Sequence, residues 1–327
     1  MKRRIAVAGS VALVVAMAGA YYVFQRDMAR AQQRIAMGSR IAQTACGPIE
    51  YAEVGDGMPV LIVHGAGGGI DQGLEFGEDL AQRGLRAIAM SRFGYLRTPL
   101  PADASPEAQA DAHACLLDFL HLGRAAIIGA SAGAPSALQL ALRHPDRVSA
   151  LVLVVPALYA PRPSASLVAH APAATQFFFD TALKSDLLFW AATKIGRRTL
   201  THALLATPSA VVDSASPDER ARVSRMLDHI LPVSPRRNGL LNDAAITASL
   251  PRYPLEQVRV RTLVISVEDD LFGTFDSARY TAEHVPGARF VGYPTGGHVW
   301  VGHQGELLAE IAGFLRGPIG ADVRVAP

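Results

Sequence analysis

The sequence is organised around the stretch Ile127-Ile-Gly-Ala-Ser-Ala-Gly133, in which small residues flank a single serine. The apolar run at 124–128 has the composition of a strand that is buried on both faces. Residues 132–142 favour a helix, and Pro135 stands where a first helical turn tolerates proline. The pattern therefore predicts a strand, a sharp turn that carries Ser131, and a helix whose free N–H groups point toward the serine oxygen.

The Gly-x-Ser-x-Gly spacing around Ser131 has a steric cause. The two backbone arms of a strained strand-to-helix turn pass close together, so the residues two before and two after the serine must be small. Gly129 and Gly133 meet that requirement. A serine on such a turn is a nucleophile only with a histidine base, an acid and oxyanion donors, which we expect elsewhere in the chain.

A second glycine-rich stretch, His64-Gly-Ala-Gly-Gly-Gly69, follows the predicted buried strand 59–63. It does not fit a dinucleotide-binding loop, because Ile70 stands where the third glycine belongs and no acidic residue ends the next strand. A loop of small residues lets a backbone N–H group approach Ser131. We expect the N–H groups of Ala66 and Ala132 to form an oxyanion hole, and the alternative is a plain tight turn around a buried His64.

The acid and the base are expected near the end of the chain. The strand 261–267 is followed by an acidic run, at the carboxyl edge where sites of α/β folds lie. Asp269 and Asp270 are therefore the candidate acids. His298, which follows the last predicted strand, and His303, five residues further on, are the candidate bases.

The order of these elements resembles the α/β-hydrolase fold family. The resemblance rests on the strand before His64-Gly65, on the Gly-x-Ser-x-Gly turn, and on the chain order Ser131, Asp270, His298. It implies a mostly parallel central sheet flanked by helices, a Ser–His–Asp triad and no cofactor. By the family's pattern Asp270 is the expected acid, with Asp269 as the alternative, and His298 is the expected base, with His303 as the second choice. The sequence departs from the family's strand–Gly-x-x-Asp pattern at Val267, which keeps Asp269 open.

The segment between the two halves of the predicted core lacks strand character and is predicted to be a helical lid. Successive helix residues lie ~100° apart, so the three phenylalanines at 177–179 cannot all face one neighbour. We expect Phe178 and Trp190 to line an apolar substrate pocket, and ordinary packing is the alternative. The predicted boundaries are 39–156 and 255–316 for the core, 157–254 for the lid, and 317–327 for a C-terminal tail.

The N-terminus is predicted to be a transmembrane anchor or a signal segment over residues 1–24, followed by a spacer at 25–38. A basic start precedes twenty uncharged residues, which as a helix span ~30 Å, the thickness of a hydrocarbon core. We favour an anchor in a bacterial inner membrane with the domain facing the periplasm. Cleavage at the small residues near Ala18 would instead give a secreted or periplasmic protein.

Composition excludes several classes of protein. The 327 residues are 50% hydrophobic and carry a net charge of only +2, which argues against a nucleic-acid partner and against disorder. The ten histidines show no zinc-site spacing, so no metal is expected. The two cysteines, Cys46 and Cys115, are interpreted as buried small hydrophobic residues, since no disulfide follows from sequence alone.

These features predict a serine hydrolase that acts on an ester or related acyl bond of an apolar small molecule. The serine at 131 argues against branches of the family that use an aspartate nucleophile. A C–C bond, amide or lactone hydrolase is an alternative. A membrane-tethered ligand-binding protein on a hydrolase scaffold, with slow or absent turnover, is the alternative from a different class.

Overall fold

The computed structural model describes residues 2–161, 181 and 183–317, with side chains from residue 10 onward. Eight strands of this part form one sheet: β1 Arg40–Thr44, β2 Gly47–Val54, β3 Met58–Val63, β4 Leu85–Met90, β5 Ala125–Ala130, β6 Val148–Val154, β7 Thr262–Val267 and β8 Arg289–Tyr293. Their order across the sheet is β1-β2-β4-β3-β5-β6-β7-β8. Because the central strands run parallel, their carboxyl ends meet at one edge of the sheet.

The sheet is parallel from β4 to β8, and only β1 and β2 run antiparallel to their neighbours. The central strands are buried on both faces, as their continuous apolar runs predict. The α/β fold class predicted from the sequence is therefore confirmed. The hairpin of β1 and β2 pairs Thr44 with Gly47.

The described helices are α1 Lys2–Ala36, α2 Ile70–Ala81, α3 Pro106–Phe119, α4 Ala134–Arg143, α5 Asp186–Ile195, α6 Arg197–Leu204, α7 Ser209–Ser214, α8 Pro217–Asp228, α9 Arg237–Thr247, α10 Thr274–His284 and α11 Gln304–Arg316. Apolar residues of α3, α4 and α10 are buried on one face of the sheet. Those of α2 and α11 are buried on the other. Two layers of helices thus enclose the sheet and leave its carboxyl edge for the loops.

The insertion, residues 157–254, contributes α5 to α9 and no strand within its described residues. It has its own apolar cluster, which includes Phe189, Leu227 and Val233. The backbone around its α9 is joined to the loop after β4, because Gly239 N–H donates to Gly94 O at 2.9 Å and Leu96 N–H donates to Pro235 O at 2.7 Å. The insertion therefore lies against the carboxyl edge of the sheet.

The N-terminal helix differs from the prediction. Within the described part of the chain, no helix combines the length and the apolarity that crossing a membrane requires, so the predicted membrane anchor lacks support. The helix α1 also continues without a break through the predicted spacer to Ala36. Met28 and Ala31 are buried against the insertion, and the Arg34 guanidinium donates to Asp71 Oδ2 at 3.0 Å. The second half of α1 is thus packed on the domain.

The two cysteines form a disulfide, so their interpretation as buried small hydrophobic residues was wrong. Cys46 lies in the turn between β1 and β2, and Cys115 lies in α3, with their Cα atoms 6.0 Å apart. The two residues are 69 positions apart in sequence. No local pattern brings them together, because their contact depends on how α3 packs against the edge of the sheet.

Removing this disulfide is expected to lower the free energy of unfolding by about 2–4 kcal/mol, because the bond restricts the unfolded chain over a long loop. Urea unfolding of Cys46→Ala/Cys115→Ala against the wild type measures the difference. Reductant should destabilise the wild type by a similar amount and leave the double variant unchanged. A double variant as stable as the oxidised wild type would contradict the prediction.

Candidate active site

Ser131 lies on a strained turn at the carboxyl end of β5. Its φ of 49° is in the left-handed region, which costs a residue with a side chain of order 1–3 kcal/mol. A Cβ atom at Gly129 would lie 2.5 Å from Ala137 Cβ, and one at Gly133 would lie 2.5 Å from His64 O. Both glycines are therefore required, Gly129 by the helix that follows the turn and Gly133 by the backbone at the end of β3 rather than, as expected, by the other arm of the turn.

A chain of hydrogen bonds joins Ser131, His298 and Asp270. His298 Nε2 lies 2.9 Å from Ser131 Oγ, and His298 Nδ1 lies 2.8 Å from Asp270 Oδ2. An ionised carboxylate only accepts, so Nδ1 carries the proton and Nε2 presents a lone pair to the serine hydroxyl. The three predicted residues are thus brought together in the geometry that makes a serine nucleophilic.

Asp270 is held as a carboxylate. Burial alone would raise the pKa of Asp270, but His298 and the donors Thr274 Oγ1 and Phe272 N–H lower that pKa below its ordinary value. Both carboxylate oxygens accept hydrogen bonds, Oδ1 from Phe272 and Oδ2 from Thr274 and His298. The side chain is therefore ionised and fixed in orientation.

The structure separates the two candidate acids and the two candidate bases. Asp269 Oδ1 accepts the Gly297 N–H at 2.7 Å, so Asp269 holds the turn that carries His298. His303 lies in the next turn of chain, where its Nδ1 is 2.9 Å from Glu306 Oε2 and its ring stacks on Tyr293. Asp270 and His298 are the pair that faces Ser131.

The glycine-rich loop after β3 passes beside Ser131. A Cβ atom added to Gly65 would lie 3.1 Å from Ser131 Cβ and 3.7 Å from Ser131 Oγ. Ala66 is the next residue of this loop, and Ala132 is the middle residue of the 3₁₀ turn of residues 131–133 that leads into α4. Both predicted oxyanion donors thus belong to backbone that surrounds the serine, and their role stays a prediction.

Buried polar side chains that the sequence did not single out surround this loop. Arg92 Nε donates to His64 O at 2.7 Å, and its guanidinium forms a bidentate ion pair with Asp243 at 2.7 and 2.6 Å. Arg236 donates to Gly68 O and, at 2.8 Å, to Asp71 Oδ2. No local signal could reveal these pairs, because more than 150 residues separate each pair along the chain.

Trp190, one of the two predicted pocket residues, contacts the N-terminal helix. The Trp190 ring packs edge-on against Phe24 with centroids 5.5 Å apart, and its Nε1 donates to Asp27 Oδ2 at 3.0 Å. These contacts are with α1 and give the pocket role no support. Phe178 lies outside the described residues. Among the described residues, Phe272 places an aromatic ring beside the site, with its centroid 4.9 Å from that of His298.

His113 is a buried histidine behind the serine turn, where its Nε2 lies 3.1 Å from Ser136 Oγ on α4. Burial and the charge of Arg92 lower the pKa of His113 to about 3. The unfolded chain takes up this proton near pH 6.5, whereas the folded chain takes it up only near pH 3. The contribution of His113 to stability is therefore complete above pH 6.5 and is lost as the pH falls toward 3.

We expect His113→Leu to make the free energy of unfolding less dependent on pH within that window, by up to about 1.4 kcal/mol per pH unit. Urea unfolding at a series of pH values measures the slope. The exposed His202→Leu serves as the matched control and should leave the slope unchanged. Equal slopes for His113→Leu and wild type would contradict the prediction.

Among the described residues, no group of three His, Cys, Asp or Glu side chains is arranged to hold a metal ion. The polar groups around Ser131 are instead paired with each other through the hydrogen bonds given above. The chemistry that this arrangement offers is nucleophilic attack by a hydroxyl with an adjacent base.

Known proteins resemble this chain in sequence or in fold. A 2-hydroxymuconate semialdehyde hydrolase from Pseudomonas sp. (strain CF600) is 36% identical over 104 residues, which are 31% of this chain and 37% of the relative. The chain thus matches little more than a third of that relative's length. The hydrolase YcgS from Bacillus subtilis (strain 168) is 25% identical over 280 residues, which cover 82% of this chain and 95% of the relative.

Among solved structures, an alpha/beta hydrolase fold protein from Nakamurella multipartita superposes with a TM-score of 0.65 at 29% identity. The match covers 85% of this chain and 99% of that one. Residues 58–301, which contain the serine turn, the acid and the histidine, match the alpha/beta hydrolase fold family. With its eight-stranded, mostly parallel sheet and its Ser131 turn, the chain belongs to the alpha/beta hydrolase fold family and is a hydrolase.

Proposed function

We propose that this hydrolase cleaves an ester or related acyl bond of a small, apolar molecule through a covalent acyl-enzyme on Ser131. One observation carries the proposal: the continuous hydrogen-bond chain from Ser131 Oγ through His298 to the buried carboxylate of Asp270. A serine hydroxyl is a weak nucleophile near pH 7, and this chain supplies both the base and the group that orients the base.

In the proposed reaction, Ser131 Oγ attacks the acyl carbon while His298 Nε2 takes the hydroxyl proton. Asp270 holds the Nδ1–H tautomer and stabilises the imidazolium that forms. The N–H groups of Ala66 and Ala132 donate to the oxyanion, each contributing about 3–4 kcal/mol. His298 then protonates the leaving group, and water, activated by the same histidine, releases the acid and restores the serine.

We also propose that the insertion acts as a lid over this site. The contacts of its described residues support this role, since Ile230 packs against Gly67 and the Ala206 carbonyl accepts the His298 N–H at 3.4 Å. Apolar side chains beside the histidine, such as Phe272, suit an apolar substrate. The lid thereby excludes water from the acyl-enzyme until the leaving group has departed.

Hydrolysis of a C–C bond, or of a lactone, is the second candidate function. The observation that favours it is the 36% identity to a protein named for a muconate semialdehyde. The same triad suits both candidates, because each needs a base next to Ser131 and stabilisation of an oxyanion. The two candidate functions can therefore be distinguished by the substrate that is turned over, but not by the catalytic residues.

A panel of substrates tests the proposal on the full chain. It contains p-nitrophenyl esters of increasing acyl length, a lactone, an amide and 2-hydroxymuconate semialdehyde. We expect ester turnover with a preference for one range of acyl lengths. Turnover of the semialdehyde or the lactone alone would favour the second candidate. A folded protein that turns over none of these would contradict both and favour a ligand-binding protein.

We further propose that the domain works in an oxidising compartment, as the predicted periplasmic or secreted location requires. The Cys46–Cys115 disulfide supports this, because such bonds persist outside the cytoplasm and are rare within it. Acid-quenched cells treated with a polyethylene glycol maleimide should show no labelled protein before reduction and two labels after it. Two labels before reduction would contradict the proposed compartment.

A further inference from the structure

Three backbone groups of the loop His64–Gly69, here the glycine loop, are bonded to buried side chains. His64 O accepts from Arg92 Nε at 2.7 Å, and Gly67 N–H donates to Tyr95 Oη at 3.2 Å. The third group, Gly68 O, accepts from Arg236. Ala66, which carries a predicted oxyanion donor, lies in the chain between His64 and Gly67, whose backbone groups are both held by these bonds.

Two of the three side chains converge on one carboxylate of the insertion, that of Asp243 in α9. Arg92 donates to both oxygens of Asp243, and the Tyr95 hydroxyl donates to Oδ2 at 2.5 Å. The side chains of Arg92, Tyr95 and Asp243 are all buried. A bidentate pair fixes the plane of the guanidinium as well as its distance, so Asp243 determines where Arg92 and Tyr95 meet the loop.

The protonation states of Tyr95 and His64 determine which group donates in each of these hydrogen bonds. Burial, and then the charge of Asp243, raise the pKa of Tyr95 well above its ordinary value, so the phenol keeps its proton and donates it to Asp243. Burial and the charge of Arg92 lower the pKa of His64 well below its ordinary value. Neutral His64 accepts the Arg92 N–H at Nε2 and therefore donates from Nδ1 to Gly65 O.

Close backbone packing prevents Asp243 from shifting relative to the loop after β4. A Cβ atom at Gly239 would lie 2.2 Å from the Tyr95 ring, and Gly239 N–H donates to Gly94 O at 2.9 Å. The start of α9 is therefore seated directly on the residues that reach the glycine loop. A change in the position of α9 would be transmitted to Gly67 through Tyr95.

We propose that Asp243 is a positioning residue, which holds the Ala66 N–H in place for the oxyanion through Tyr95 and Arg92. This inference rests on the proposed function, because it assigns Asp243 to the transition state of that reaction. The insertion thereby supports the oxyanion hole in addition to covering the site. Asp243 touches no reacting atom, so its effect appears only through the glycine loop.

The test compares Tyr95→Phe and Asp243→Asn with the wild type on the best substrate of the panel. A misplaced oxyanion donor lowers kcat and leaves KM nearly unchanged, because the oxyanion exists only in the transition state. We expect kcat to fall about 10-fold in Tyr95→Phe and about 100-fold in Asp243→Asn. Affinity for an aryl trifluoromethyl ketone, whose adduct places an oxyanion at the same position, should fall in parallel.

The matched control is Asp228→Asn, which removes a half-exposed carboxylate of the insertion that pairs with Arg197. It should keep the kcat and the inhibitor affinity of the wild type. Asp243→Asn leaves a buried guanidinium with a weaker partner, which destabilises the fold. If that variant does not fold, Tyr95→Phe decides, because it removes only one hydroxyl and keeps the ring.

A folded Tyr95→Phe variant with the kcat and the inhibitor affinity of the wild type would overturn the inference. A variant with a lower kcat and a lower melting temperature, but with the inhibitor affinity of the wild type, would also overturn it. That result indicates structural support alone. Wild-type turnover that does not depend on Ser131 would instead remove the proposed function, and this inference with it. Comparing wild type with Ser131→Ala before the other variants separates the two failures.

Discussion

Replacing Ser131 with Ala is expected to lower kcat for ester hydrolysis by about a millionfold, to the rate left by the oxyanion donors and substrate binding. The reason is that no acyl-enzyme forms without the hydroxyl, so water must attack directly. The substitution removes one oxygen atom and leaves the turn intact, because alanine keeps the Cβ that the strained φ of 49° already accommodates. Initial rates on a p-nitrophenyl ester measure the loss.

Ser149→Ala is the matched control for this prediction. Ser149 lies in the neighbouring strand β6, at the end of the sheet opposite to Ser131, and its replacement should leave kcat unchanged. Circular dichroism and thermal unfolding show whether both variants keep the fold. A folded Ser131→Ala variant that retains even one per cent of the wild-type kcat would contradict the nucleophile assignment.

Replacing Asp270 with Asn is expected to lower kcat about 10⁴-fold. Both oxygens of Asp270 accept hydrogen bonds, so an amide NH₂ group must replace an acceptor on one side. With the NH₂ group toward His298, Nδ1 must accept, and the proton moves to Nε2, where it faces the serine hydroxyl. The imidazole then has the wrong tautomer to act as a base, and the imidazolium loses its counter-charge.

The adjacent carboxylate provides the control for Asp270→Asn. Asp269 accepts one N–H, from Gly297, and Asn at 269 keeps an oxygen acceptor for it. Asp269→Asn should therefore lose no more than about 10-fold in kcat, through a small shift of the His298 turn. Equal losses in the two variants, or a larger loss in Asp269→Asn, would show that the acid is misassigned.

The sequence was sufficient to predict the elements that local patterns determine. The Gly-x-Ser-x-Gly spacing predicted a crowded turn at Ser131, and both glycines are crowded, although Gly133 is crowded by the end of β3 and not by the other arm of the turn. Apolar runs predicted the buried parallel strands, and the resemblance to the family supplied the chain order of a serine, an acid and a histidine. The turn and the strands could be predicted because each needs only neighbouring residues or a general rule about sheet edges.

The choice between Asp269 and Asp270 could not be made from the sequence. Consecutive side chains after a strand point in different directions, and the direction depends on the turn that follows. In the structure Gly297 N–H meets Asp269, and His298 meets Asp270. Val267, which stands where the family pattern has glycine, is fully buried at the end of β7 and does not disturb this arrangement.

Interactions between distant segments account for what the sequence analysis missed. Arg92 and Asp243 are 151 positions apart, and neither lies in a motif. The Cys46–Cys115 bond and the packing of α1 on the insertion likewise depend on tertiary contacts. The anchor over residues 1–24 was predicted from the length of an uncharged run, and no described helix is long and apolar enough to support it. The contacts of Asp27, Met28 and Arg34 with the domain concern the predicted spacer, and they too depend on distant segments.

The central claim is that Ser131 carries the acyl group between the two half-reactions. Acid quenching during steady turnover of the best ester, followed by mass spectrometry of the intact chain and its peptides, tests it most directly. The account predicts a mass increase equal to the acyl group less one hydrogen, located on the Ser131 peptide and absent from Ser131→Ala. Undiminished turnover with the acyl group on another residue, or with Ser131 replaced by alanine, would contradict it.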